Sequence, residues 1–247
     1  MRSTGNTILI TGAGSGIGRA LARRFHARGD TVLVAGRRLD ALHETIGDRD
    51  RMHAFELDIA DPADVAAFAQ RVLTAHPALD VLVNNAGIMR NEDMGHARDL
   101  GDAEATITTN LLGPIRLTDA LVEHLATRPH AAIVNVSSGL AFVPLTVAPT
   151  YSATKSAIHA YTVSLRHVLA GRVQVIELVP PAVQTGLTPG QETREGYMPL
   201  SDFIDEVMAQ FARQPVPDEI LVERVKVLRM AEREGRFDAT LGQLNPR

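Results

Sequence analysis

Thr7-Ile8-Leu9-Ile10-Thr11-Gly12-Ala13-Gly14-Ser15-Gly16-Ile17-Gly18 is the stretch whose reading decides the fold. A short apolar run leads without a break into a glycine-rich turn, and helical spacing follows from Gly16 to Arg28. Glycine in such a turn lets the backbone reverse sharply and approach a pyrophosphate closely. It also packs the helix against the strand, while the first amides of the helix face an anion. A glycine-rich turn in an α/β protein that binds no nucleotide is the alternative reading of these residues alone.

Outward from this turn, Val, Ile and Leu runs recur at Thr31 to Ala35, His53 to Leu57, Asp80 to Asn84, Ala131 to Ser137 and Val173 to Val179. Between them, Asp61 to Ala75, Asp102 to Ala126 and Thr150 to Leu169 carry helical spacing, with Asp61-Pro62 as a helix entry. Strands apolar on both faces and alternating with helices require a parallel sheet covered on both sides. The expectation is a Rossmann-type, doubly wound α/β fold of strand order 3-2-1-4-5-6. Residues 180–199 lack periodicity and open a lid expected over about 186–215. Ser201 and Asp218 are read as N-caps of further helices, the second spanning about 218–233, and nothing in Phe237 to Arg247 reads as a seventh strand.

The 247 residues are read as a single domain, 45% hydrophobic and 22% charged, as in ordinary globular proteins. A net charge of -4, with arginines scattered rather than clustered, argues against nucleic acid. No cysteine is present and the nine histidines show no ligand spacing, so no metal is expected. The absence of an apolar leader or a run of about 18 apolar residues gives the expectation of a cytoplasmic protein with no membrane partner.

The glycines are spaced as Thr11-Gly12, Gly16 and Gly18, the fourth run ends in Asn84-Asn85-Ala86-Gly87, and Tyr151 and Lys155 stand four apart. With these motifs the chain resembles the short-chain dehydrogenase/reductases from Thr7 to about Thr185. With two lysines and three tyrosines in the chain, a Tyr-x-x-x-Lys pair has a chance frequency of roughly one in forty. A helix puts these two residues on one face. By resemblance, Ser138, thirteen residues before Tyr151, holds the carbonyl oxygen, while Ser137 is read as strand-end structure. The resemblance also implies that Lys155 binds the nicotinamide ribose and that Asn110 supports it through a proton relay. Asp58, with Ile59, lies where the family contacts adenine, and Asn84 and Asn85 pin a turn while Ala86 and Gly87 admit the ribose. The resemblance puts Val183 and Thr185 near the carboxamide, and Pro181, also counted among the cofactor contacts, stands in the place of the usual glycine.

The resemblance implies hydride transfer between a nicotinamide and a carbonyl, with Tyr151 as proton donor or acceptor. An adjacent ammonium and an oxidised nicotinamide are expected to bring the phenol's pKa toward neutrality. The second run ends Ala35-Gly36-Arg37-Arg38, without the acid that NAD-binding members place there. Arg37 is therefore expected to hold the 2′-phosphate of NADP(H), with Arg38 flanking the adenine and Ser15, beside Ile17 in the turn, as a hydroxyl partner. A hydrophobic carbonyl substrate is expected from Leu140, Phe142, Val143, Leu145, Met89, Leu187, Tyr197 and Met198, with Arg90 the one candidate for gripping an anion. The missing Asp-Gly-Gly tail strand favours a homodimer through the two long helices. The rival readings are an idle NADP(H)-binding sensor, which would not need the proton relay, and an extended-type epimerase, which needs another glycine spacing.

Overall fold

The computed structural model describes residues 1–246. Its centre is a parallel seven-stranded sheet of order β3-β2-β1-β4-β5-β6-β7. The strands are β1 Thr7–Thr11, β2 Thr31–Gly36, β3 Met52–Glu56, β4 Val81–Asn84, β5 Ala132–Val136, β6 Gln174–Val179 and β7 Glu219–Leu221. Alternate residues serve opposite faces, as the period of two demands. Ile8, Ile10, Val32 and Val34 pack with Phe25, Leu42 and Phe203, whereas Leu9, Leu33 and Ala35 join Phe68, Leu117 and Leu121. Nearly every one of these side chains is sealed from water, so the two-sided burial read from the apolar runs is the arrangement found.

The helices are α1 Gly16–Ala27, α2 Leu39–Ile46, α3 Pro62–Ala75, α4 Gly101–Ile107, α5 Gly113–Ala126, α6 Pro149–Val168, α7 Leu200–Phe211, α8 Lys226–Arg229 and α9 Phe237–Leu244. Asp61 caps α3 as expected, its carboxylate accepting from the amides of Ala63 and Asp64. Helix α2, only eight residues long, escapes the sequence reading. The single helix expected from Asp102 to Ala126 is interrupted by a π-helical stretch, Thr108–Leu112, centred on buried Asn110. Gly113, just after it, lets the helix pass against Ile59: a Cβ there would lie 2.6 Å from that side chain.

Two expectations for the C-terminal part are corrected. The segment read as a helix over 218–233 opens instead as strand β7, with Glu177 in register with Glu219. Asp218 is no N-cap: its carbonyl accepts from the Glu177 amide at 2.9 Å and so belongs to the sheet. Three residues are too few to display an alternation, and parallel pairing with β6, which buries Ile220, is what makes the strand. The expected lid over 186–215 ends in core, since Phe203, Ile204, Val207 and Phe211 of α7 are buried and Phe211 meets Phe25 of α1 edge to face. Helix α7 starts at Leu200 after Pro199, and Ser201 turns its hydroxyl to Asp202 rather than capping.

Candidate active site

All strands end on one side of the sheet, and a cleft opens there where the order reverses between β1 and β4. The glycine turn forms its floor. Gly12 and Gly16 have φ of +66° and +51°, a left-handed backbone that side chains resist. A Cβ on Gly12 would lie 2.8 Å from the Ala86 Cα, and one on Gly18 would lie 2.5 Å from Asn85 Nδ2. The turn and the end of β4 are locked together by Thr11, whose hydroxyl accepts from the amides of Asn85 and Ala86, both at 3.1 Å. Asn85 Nδ2 answers by donating to the Thr11 carbonyl at 2.9 Å. Ser15 makes no side-chain cap on α1, so the first amides of that helix are left to the cleft. Asn84 turns away from the cleft and donates to Thr118 and Asn135, and Asn135 in turn to Thr162.

The expected cofactor residues line this one cleft. Gly12, Ser15, Gly16, Ile17 and Gly18 come from the turn, Arg37 and Arg38 from the end of β2, Asp58 and Ile59 from the end of β3, and Asn85, Ala86 and Gly87 from the end of β4. Pro181, Val183 and Thr185 follow β6. The Pro180 carbonyl accepts from the Gly139 amide, tying this segment to the end of β5. Gln191, absent from the sequence reading, lines the cleft too, and its amide donates to the Val183 carbonyl and the Thr185 hydroxyl. Nothing in the spacing of residues 186–199 announces that role.

Ser138, Tyr151 and Lys155 line the opposite end, all nearly inaccessible to water. Ser138 starts a short 3₁₀ turn, its hydroxyl accepting from the Leu140 amide at 3.1 Å. Lys155 donates to the Val136 carbonyl at 2.8 Å and sits 5.5 Å from the centre of the Tyr151 ring. Asn110 brackets the backbone of Ile88, accepting from its amide at 2.9 Å and donating to its carbonyl at 2.8 Å. It also approaches Thr154 of α6, one residue before Lys155. Ser137, read as strand-end structure, donates its hydroxyl to buried Glu177 at 2.6 Å and also lines the cleft beside Ser138.

Burial governs the ionisation of the pair. It pushes the Tyr151 phenol up to about 12, with Ser138 opposing, and lowers the Lys155 ammonium to about 8. Desolvation is the largest cause for both groups, and the Lys155 ammonium is committed to the Val136 carbonyl.

Seven of the eight apolar residues expected to form a substrate pocket lie elsewhere, and only Leu187 lines the cleft. Val143 and Met198 are core, and Phe142 packs on His159 beneath the Arg229 guanidinium. Arg90 does line it.

A family model described as short chain dehydrogenase matches residues 6–196, which includes the glycine turn, Asn85, Asn110 and the Tyr151–Lys155 face of α6. The chain belongs to the short-chain dehydrogenase/reductases. As such an oxidoreductase it is 38% identical over 250 residues to the "uncharacterized oxidoreductase DltE" of Bacillus subtilis, covering 99% of this chain and 98% of that protein. It is 30% identical to the "NADP-dependent 3-hydroxy acid dehydrogenase YdfG" of Shigella flexneri, covering 75% of this chain and 73% of the relative. A short-chain dehydrogenase from Burkholderia cenocepacia, solved in complex with NADP, superposes with a TM-score of 0.84 at 27% identity, over 98% of this chain and 99% of that one. Among the described residues no helix is long and apolar enough to cross a membrane.

Proposed function

We propose that this short-chain dehydrogenase/reductase is an NADPH-dependent enzyme that interconverts a ketone or aldehyde and the corresponding alcohol, with Tyr151 as proton donor and acceptor. The observation that carries the reading is the convergence of Ser138, Tyr151 and Lys155 on the same cleft that Arg37 and Arg38 line at its other end. The glycine floor fits a pyrophosphate, since Gly12 and Gly16 turn the backbone through a left-handed conformation and Ser15 leaves the first amides of α1 without a side-chain cap. Arg37 and Arg38 fit a 2′-phosphate, with Gly36 where an acid would repel it. The NADP complex of the Burkholderia neighbour and the NADP dependence in the name of the Shigella relative support this choice of cofactor. When bound, NADPH supplies the hydride that reduces the carbonyl carbon.

The residues of the chain manage the oxygen. Ser138 donates a hydrogen bond to the carbonyl oxygen and holds the growing negative charge. Tyr151, a neutral phenol at physiological pH because burial raises its pKa to about 12, hands its proton to that oxygen. Lys155 orients the ribose from the Val136 side of the cleft, and Asn110 fixes the Ile88 backbone beside it. An idle NADP(H) sensor would have no use for a buried lysine against a buried tyrosine, an arrangement whose desolvation disfavours both charged forms.

The substrate remains a small carbonyl compound. The expected hydrophobic preference has little support, because its apolar residues lie outside the cleft. The Shigella relative is named for a 3-hydroxy acid, which bears a carboxylate. Oxidation of NADPH, followed with aldehydes and ketones of graded size and charge, tests the reading. Binding of NADPH with no turnover of any carbonyl would favour the sensor instead.

A further inference from the structure

Five charged residues line the cleft: Arg37, Arg38, Asp58, Arg90 and Lys155. The first three follow β2 and β3, at the β3 edge of the sheet, and serve the end away from Tyr151. Lys155 is buried and bonded to Val136. Arg90, six residues beyond the end of central β4, is thus the one exposed cation at the Tyr151 end among the described residues, and no acid lines that end with it.

The chain around Arg90 is fastened on both sides. Two residues before it, both backbone groups of Ile88 are held by buried Asn110. Two residues after it, the Glu92 carboxylate, 4% exposed, accepts from the Thr150 amide at 3.1 Å and the Thr150 hydroxyl at 2.8 Å. The Glu92 amide donates to the Val147 carbonyl at 2.9 Å, and Arg98 neutralises the carboxylate. Thr150 directly precedes Tyr151, so a five-residue span is clamped at one end to the asparagine of the site and at the other to the first turn of the helix that carries the phenol. The guanidinium itself makes no hydrogen bond to the described chain. Its ion partner, Asp102, stands 3.7 Å away, and both side chains are more than half exposed, a pairing that holds an arginine only loosely.

We propose that Arg90 makes the Tyr151 end of the cleft an anion subsite, and that the substrate is a small aldehyde or ketone carrying a carboxylate, or a similar planar or tetrahedral oxyanion, a few bonds from its carbonyl. This rests on the reading of the cleft as a carbonyl-reducing site. An arginine fork meets a carboxylate through two parallel N–H···O bonds, which fixes where the rest of a short molecule lies. With the anion on Arg90 and the carbonyl oxygen between Ser138 and Tyr151, the substrate is held at two points and presents one face of its carbonyl carbon to the cofactor side. Asp102 then acts as a placeholder, competing weakly for the guanidinium until a substrate displaces it.

The test uses a matched pair, a short oxo acid and its methyl ester, which have the same carbonyl and nearly the same reach but differ in charge. In wild type kcat/KM for the acid is expected to exceed that for the ester by about tenfold or more, the scale of one charge-assisted contact. Arg90→Ala is expected to bring the acid-to-ester ratio close to one, Arg90→Lys to restore part of it, and Asp102→Asn to raise it by removing the competitor. NADPH titration by fluorescence confirms that each variant is folded. A wild type that reduces the ester as well as the acid, or an Arg90→Ala ratio unchanged from wild type, would overturn the proposal. No reduction of the acid, the ester or neutral ketones, with NADPH still bound, would instead remove the carbonyl-reducing reading itself, and the subsite with it.

Discussion

A hydroxyl and an ammonium, both withdrawn from water, set the chemistry proposed for the cleft. The Tyr151 phenol is held protonated by burial, the state needed to quench an alkoxide, and its loss should be felt in turnover rather than in cofactor affinity. Tyr151→Phe keeps the ring and removes only the hydroxyl, so kcat is expected to fall by about 10²-fold or more while the NADPH dissociation constant moves little. A variant retaining more than about a tenth of wild-type kcat would exclude the phenol as the acid. Lys155 illustrates the cost of function to stability. Its ammonium, lowered to about 8 by burial alone, is disfavoured in the fold by about 3 kcal/mol at neutral pH. Lys155→Met is therefore expected to melt several degrees higher than wild type and to be inactive; a lower melting temperature would mean that the Val136 contact outweighs the desolvation.

At the scale of an element, the end of β2 carries the most consequential choice. Gly36 closes the strand in register with Glu56 of β3 and brings no carboxylate of its own to Arg37 and Arg38, although Asp58 lines the cleft with them and Glu56 and Asp64 flank Arg37. A charge-assisted phosphate contact contributes about 1.5–3 kcal/mol, so kcat/KM with NADPH is expected to exceed that with NADH at least tenfold. Gly36→Asp combined with Arg37→Ala should reverse the order, and equal values in wild type would remove the argument from this strand. The π-helical stretch at Thr108–Leu112 belongs to the same scale. One wide turn lets Asn110 face Ile88 while the helix carries on through Gly113 against Ile59, so a kink and a site residue are two aspects of one feature.

Across the whole molecule, Lys155 and Tyr151 impose opposite slopes on stability with pH. Between about pH 8 and 10.5 the unfolded chain keeps the lysine proton better than the folded one, so stability rises with pH there. Between 10 and about 12 the folded chain keeps the phenol proton better, so stability falls. The advantage of Lys155→Met over wild type is thus expected to be widest below about pH 8 and to close toward 10.5; a gap independent of pH would show that the lysine is not desolvated. Ile107 on α4, Leu112 on the π-helical stretch and Val163 on α6 are exposed apolar residues on the two helical segments through which a homodimer is expected. Light scattering should give twice the chain mass, and Val163→Glu should shift it toward the monomer.

The residues by themselves determined the sheet and its cleft. Two-sided apolar runs leave no arrangement but a covered parallel sheet, and Gly12, Gly16 and Gly18 answer to backbone geometry that a sequence displays directly. Spacing put Tyr151 and Lys155 on one helix face, whereas their roles came from the resemblance to the family. What sequence spacing does not encode is contact between distant segments. Strand β7 is too short to show a period and exists because β6 offers it an edge. Val143 and Met198 look like pocket residues until packing turns them into core, and Phe142 packs against that core beside His159. The phenol's ionisation follows from how much water the surrounding elements exclude, which no neighbour in sequence reports. Arg90 is a loop arginine in the sequence, and only the tertiary clamps from Asn110 to Ile88 and from Glu92 to Thr150 bring it to the mouth of the cleft.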